Sequence, residues 1–139
     1  MVFIHGVLND HSVWILQSRY LAHHGWNVLA IDLPGHCKSD GEAPASVEAA
    51  ADFIGQLMDA AGIQQAALVG HSWGSLIALE TAARLKDRIT HAVLVGTAFP
   101  MKVTPALIDA RTGELAAVAP ALVDIEQIHY QYQQAYHIL

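Results

Sequence analysis

Five consecutive residues, Gly70-His71-Ser72-Trp73-Gly74, constrain this chain more than any other stretch. An apolar run, Ala66-Ala67-Leu68-Val69, leads into them, and residues 75–85 follow with helical spacing. A strand that becomes a helix within so few residues must turn sharply. Its central serine then sits in a strained conformation with the hydroxyl raised clear of the sheet. Side chains two positions to either side would collide with the crossing strand and helix, which explains Gly70 and Gly74. The following helix aims free N–H groups and the positive end of its dipole at the space above Ser72, where an oxyanion could form. Ser72 is therefore the candidate nucleophile.

The rest of the chain repeats the same strand-then-helix rhythm. Residues 2–4 form a short apolar run that stops at His5-Gly6 and reads as a buried parallel strand. Asn9, Asp10 and Ser12 offer caps for a helix over 12–24, with Val13, Leu16, Tyr20 and Leu21 on its buried face, Trp14 against the sheet and Gly25 ending it. A second strand spans 27–31 and closes at Asp32-Leu33-Pro34-Gly35. Ser46 starts another helix with Glu48 in its first turn, and Val47, Ala50, Ala51, Ile54, Leu57, Met58 and Ala61 form its buried stripe before Gly62. A fourth strand, 91–95, closes at Gly96-Thr97. Strands alternating with helices at this spacing predict an α/β fold, a parallel sheet of about four strands with helices on both faces. Ligands in such sheets bind beyond the carboxyl ends of the strands, where His5-Gly6, Asp32, Ser72 and Thr97 all fall.

Composition narrows the function classes. The 139 residues are 53% hydrophobic and 14% charged, an ordered globular balance, and the net charge of −6 without a basic cluster speaks against nucleic acid or an anionic membrane as partner. No apolar stretch reaches spanning length. Cys37 is the one cysteine, which rules out an intramolecular disulfide and suggests a reducing, cytoplasmic setting. Nine histidines raise the question of a metal, but no HExxH or cysteine-rich spacing occurs, so no metal is expected.

Three motifs in register, His5-Gly6-Val7 followed by Asp10 and Trp14, Asp32-Leu33-Pro34-Gly35-His36-Cys37-Lys38-Ser39, and the turn around Ser72, resemble the α/β-hydrolase superfamily in its esterase, lipase and haloperoxidase-like branch. The likeness is close over residues 1–100, a partial hydrolase core, and loose over 101–139, which resembles the start of a helical cap. It implies that Ser72 attacks an ester or similar acyl substrate, with no cofactor. It also implies that the backbone N–H groups of Trp73 and Val7 form the oxyanion hole. Related dehalogenases and epoxide hydrolases carry aspartate in a similar turn; serine favours acyl transfer through an ester intermediate. His5 and His71 match positions that support the site rather than move protons, and Trp73 and Phe99 are candidate walls of an acyl pocket. Cys37 stands where the family's loop usually has glycine and reads as a small packing residue.

The family's catalytic acid and histidine come from strands after the cap, and two further strands precede the one at residues 2–4. The chain thus resembles the middle of a hydrolase, truncated at both ends, and alone it is expected to be inactive. The alternatives are an inactive fragment or binding module, or a cofactor-free haloperoxidase or C–C hydrolase on the same scaffold. Four strands would also leave apolar sheet edges through which copies could self-associate.

Overall fold

A computed structural model describes residues 1–98. The expected cap, residues 101–139, and Phe99 lie outside the described residues.

Four strands form one parallel sheet: β1 (Val2–Ile4), β2 (Leu29–Ala30), β3 (Ala66–His71) and β4 (Ile89–Val95). Their spatial order is β2-β1-β3-β4, so the chain steps outward from β1 to β2, then crosses to the other side for β3 and β4. The direction of winding reverses beside β1 and β3, where a parallel sheet opens a crevice at its carboxyl end. Val2 pairs with Leu29 and Leu68, and Ile4 with Gly70, which fixes His5-Gly6 next to the end of β3. The second strand is shorter than the sequence suggests: of residues 27–31, Leu29 and Ala30 alone form the ladder.

Two helices follow from clear stop and start signals. Ser46 caps α2 (Val47–Ala60) by accepting from the Ala49 N–H at 3.1 Å. Val47, Ala50, Ala51, Ile54 and Met58 are buried as the stripe requires; Leu57 is half-buried, and Ala61, past the helix end, is exposed. α3 (Trp73–Leu85) is buried from Trp73 through Thr81, because it packs on β3 and β4 on one side and on α2 on the other. Glu80, buried, pairs with Arg84 one turn on, and Arg84 also reaches Asp52 of α2 at 2.7 Å. The carboxylate inside the helix pair is thus neutralised.

The first helix departs from its expected form. Asp10 caps it through the Ser12 N–H at 2.7 Å, but residues His11–Trp14 are a 3-10 turn and α1 proper is Ile15–His23. A 3-10 turn advances about 120° per residue against about 100° for an α-helix, so a face read as one continuous helix rotates off the sheet. Val13, Leu16 and Tyr20 are exposed and Leu21 is half-buried. Trp14 anchors the segment, buried against Phe3 with ring centroids 5.1 Å apart. It forms a small second cluster with Phe3 and Val69 on the face opposite the main core. Among the described residues no helix is long and apolar enough to cross a membrane.

Candidate active site

The geometry around Ser72 follows from the lack of room there. A Cβ on Gly70 would lie 2.2 Å from the Gly74 carbonyl oxygen, and one on Gly74 would lie 2.4 Å from the Ile4 carbonyl oxygen. Both distances are far inside van der Waals contact, so β3, α3 and β1 converge here only because these positions carry no side chain. Ser72 takes φ 53° and ψ −120°, a backbone conformation that suits glycine and strains any residue with a Cβ. Its own N–H donates to the Val95 carbonyl of β4 at 2.9 Å, and its carbonyl accepts from both the N–H and the hydroxyl of Ser75. Thr97, just past β4, donates its hydroxyl to Ser75 Oγ at 2.8 Å. The strained turn is clamped from the adjacent strand and from its own helix.

Trp73 is the first residue of α3, so its N–H has no acceptor within the helix. Gly6 approaches from β1: a Cβ there would lie 3.0 Å from Ser72 Cβ and 3.1 Å from the His71 carbonyl oxygen. The turn carrying Val7 therefore abuts the serine, and Leu8 bends it back with φ 61°. The Trp73 ring is wholly buried in the main core. The indole Nε1 has no partner among the described residues.

His5 is fully buried, and both ring nitrogens are engaged. Nδ1 lies 2.8 Å from the Gly6 carbonyl, and Nε2 accepts from the Leu33 N–H at 3.1 Å. The second contact requires a bare Nε2, so the proton sits on Nδ1 and the ring joins the loop after β1 to the loop after β2. Burial lowers its pKa, partly offset by the hydrogen bond to Gly6. A depressed pKa means the unfolded chain takes up a proton before the folded chain does. The contribution of His5 is therefore complete above its ordinary value of 6.5 and lost as pH falls below it. Nitrogen-15 NMR at pH 6.5 should find His5 neutral and protonated on Nδ1, where an ordinary histidine is half charged. An imidazolium there would contradict the assignment.

His71 lies half-buried between Trp14, whose ring meets it edge-on at 6.4 Å, and Gly96. Asp32 fixes its loop by accepting from the His11 N–H and from His11 Nδ1, each at 2.8 Å, and from the Lys38 N–H at 3.4 Å. Burial opposes its ionisation, but these donors outweigh it and lower the pKa. Cys37 is exposed, not packed, with φ 47° at the position where glycine was expected. Among the described residues no side chain hydrogen-bonds the Ser72 hydroxyl. Sequence reading passed over Ser75 and His11; their signals were a small hydroxyl three residues after the nucleophile and an imidazole just after a helix cap.

The site thus presents a serine on a strained turn at the start of α3, with flanking loops fixed by His5 and Asp32. Comparisons with known proteins bear on the fold. The family model described as alpha/beta hydrolase fold matches residues 1–116. A pimeloyl-[acyl-carrier protein] methyl ester esterase of Neisseria meningitidis is 38% identical over 95 residues, 68% of this chain and 35% of that protein. An epoxide hydrolase of Caballeronia sordidicola is 35% identical over 92 residues, 63% of this chain and 28% of that one. Among solved structures, the N-acyl homoserine lactonase AidH complexed with N-butanoyl homoserine superposes with a TM-score of 0.66 at 25% identity, covering 99% of this chain and 59% of that chain. The chain spans between 25% and 36% of the length of the first curated relatives it matches. With the matched residues covering most of the chain, and the sheet and serine turn as described, the chain belongs to the α/β-hydrolase fold family.

Proposed function

We propose that this chain carries the nucleophile half of a serine hydrolase acting on carboxylic esters or related acyl compounds. The observation that carries the reading is Ser72 at φ 53°, raised on a turn that three backbone segments enclose. Ser72 Oγ attacks the acyl carbon, its proton passing to a general base. The carbonyl oxygen, becoming an alkoxide, lies toward the N–H groups of Trp73 and Val7, donors worth about 3 kcal/mol each in comparable sites. Collapse expels the alcohol and leaves an ester on Ser72, which water then hydrolyses. Serine rather than aspartate at this position favours acyl transfer over epoxide opening. The esterase and lactonase likenesses point the same way.

Among residues 1–98 no side chain, His71 included, hydrogen-bonds the Ser72 hydroxyl, so none stands as its base. His5 has both nitrogens occupied, and the His11–Asp32 pair lies beside β2, with β1 between it and the serine strand. The 139-residue chain should therefore react slowly. Incubated with a fluorophosphonate and mapped by mass spectrometry, it should gain an adduct at Ser72 alone, at a rate about 10³-fold or more below a complete triad enzyme. The Ser72→Ala variant should gain none. Labelling elsewhere, or labelling that survives in Ser72→Ala, would refute the assignment. Rapid labelling at Ser72 would keep the nucleophile but show that residues 99–139 or a second copy supply a base.

A further inference from the structure

Three side chains meet at the carboxyl end of β2: His11 from the 3-10 turn 21 residues earlier, Asp32 just after the strand, and Cys37 from the same loop. One ligand atom from each, imidazole nitrogen, carboxylate oxygen and thiol sulfur, lies within 4.8 Å of the other two. We propose that His11, Asp32 and Cys37 form a three-ligand site for a divalent first-row metal ion of the zinc type, with the fourth position open to water.

The donor set decides the class of ion. One nitrogen, one oxygen and one sulfur suit zinc and its neighbours, whereas calcium and magnesium take oxygen alone. Bond lengths of about 2.0 Å to nitrogen and oxygen and about 2.3 Å to sulfur place tetrahedral ligands about 3.3–3.6 Å apart. His11 Nδ1 and Asp32 Oδ1 stand at 2.8 Å, so that pair must open slightly while the thiol closes in. Both are side-chain adjustments at a surface where Cys37 is exposed and His11 partly so.

The carboxylate is already oriented. The backbone N–H of His11 donates to Oδ1 at 2.8 Å and that of Lys38 to Oδ2 at 3.4 Å, outer support of the kind that metal-ligating carboxylates use. Binding displaces two protons: the Cys37 thiol loses its own to solvent, and the one His11 Nδ1 donates to Asp32 leaves that nitrogen, the neutral ring then carrying its proton on Nε2. The site stands apart from Ser72, and it would pin the loop after β2 to the start of the first helix. Binding energy gained there is folding energy.

Cobalt(II) tests this directly, because Cys37 is the only sulfur that can give a thiolate-to-metal charge-transfer band. The tag-free 139-residue chain, kept reduced without chelators, should develop that band with one equivalent of cobalt and lose it when zinc is added. Zinc should raise the melting temperature. Cys37→Gly suits the positive φ and should fold, yet show neither the band nor the zinc-dependent rise. His11→Gln should keep the thiol but bind cobalt at least about tenfold more weakly. A folded chain with no band at a tenfold excess of cobalt would overturn the proposal. So would a band whose affinity His11→Gln leaves unchanged, since that would make Cys37 a lone surface ligand.

Discussion

Replacing Gly70 by alanine is expected to cost this chain most of its stability. The new methyl would stand 2.2 Å from the Gly74 carbonyl oxygen, 2.5 Å from its carbon and 2.6 Å from Ser75 Cα, all backbone atoms. No rotamer change relieves such a contact; β3 and α3 must separate. That separation would open the main core around Leu76 and Ile77 and break the bond from the Ser72 N–H to Val95. A loss of about 3–5 kcal/mol, near the upper limit for single substitutions, is expected. Circular dichroism should show a melting transition lowered by tens of degrees, or a chain unfolded at room temperature. Gly62→Ala is the control: its Cβ would meet nothing within 4 Å, so only the left-handed conformation, φ 66°, matters, at about 1 kcal/mol. Equal effects at the two positions would mean that the crossing at Gly70 is not tight.

Ser72→Gly should do the opposite to stability while removing reactivity altogether. Its backbone is where glycine alone is comfortable, and relief of that strain is worth about 1–3 kcal/mol. Part is returned through the greater freedom of glycine in the unfolded chain, about 0.5–1 kcal/mol. A net gain of about 1 kcal/mol, read as a higher denaturation midpoint, is expected together with complete loss of the fluorophosphonate adduct. Ser72→Ala keeps the strained Cβ, so it should lose the adduct without the gain. If the two variants were equally stable, the turn would not be storing strain, and the serine would be held by its hydrogen bonds alone.

Much of this was legible beforehand because it depends on local pattern. Gly70 and Gly74 flanking a serine between an apolar run and a helical one already required a crossing too tight for side chains. The caps at Asp10 and Ser46 and the stripe from Val47 to Met58 follow from short-range chemistry. The first helix misled because periodicity carries no mark of a 3-10 turn, and one such turn rotates every later residue. His5 looked like a loop support from its position alone; which two loops it joins depends on Leu33, 28 residues away. The meeting of His11, Asp32 and Cys37 is likewise a product of the sheet, invisible until β1 and β2 lie side by side.

The order of the strands has a last consequence, for amide hydrogen exchange. Among the described residues β1 and β3 are the two strands with a neighbour on each side, and β3 pairs along its whole length with β4. Their amides become exchangeable only when the sheet itself comes apart, whereas those of β2, two residues long at the rim, exchange through local opening. The strained Ser72 thus sits at the end of one of the slowest-opening strands of the described sheet. A distorted turn at the rim could relax by fraying; at this place it relaxes only if the whole domain does.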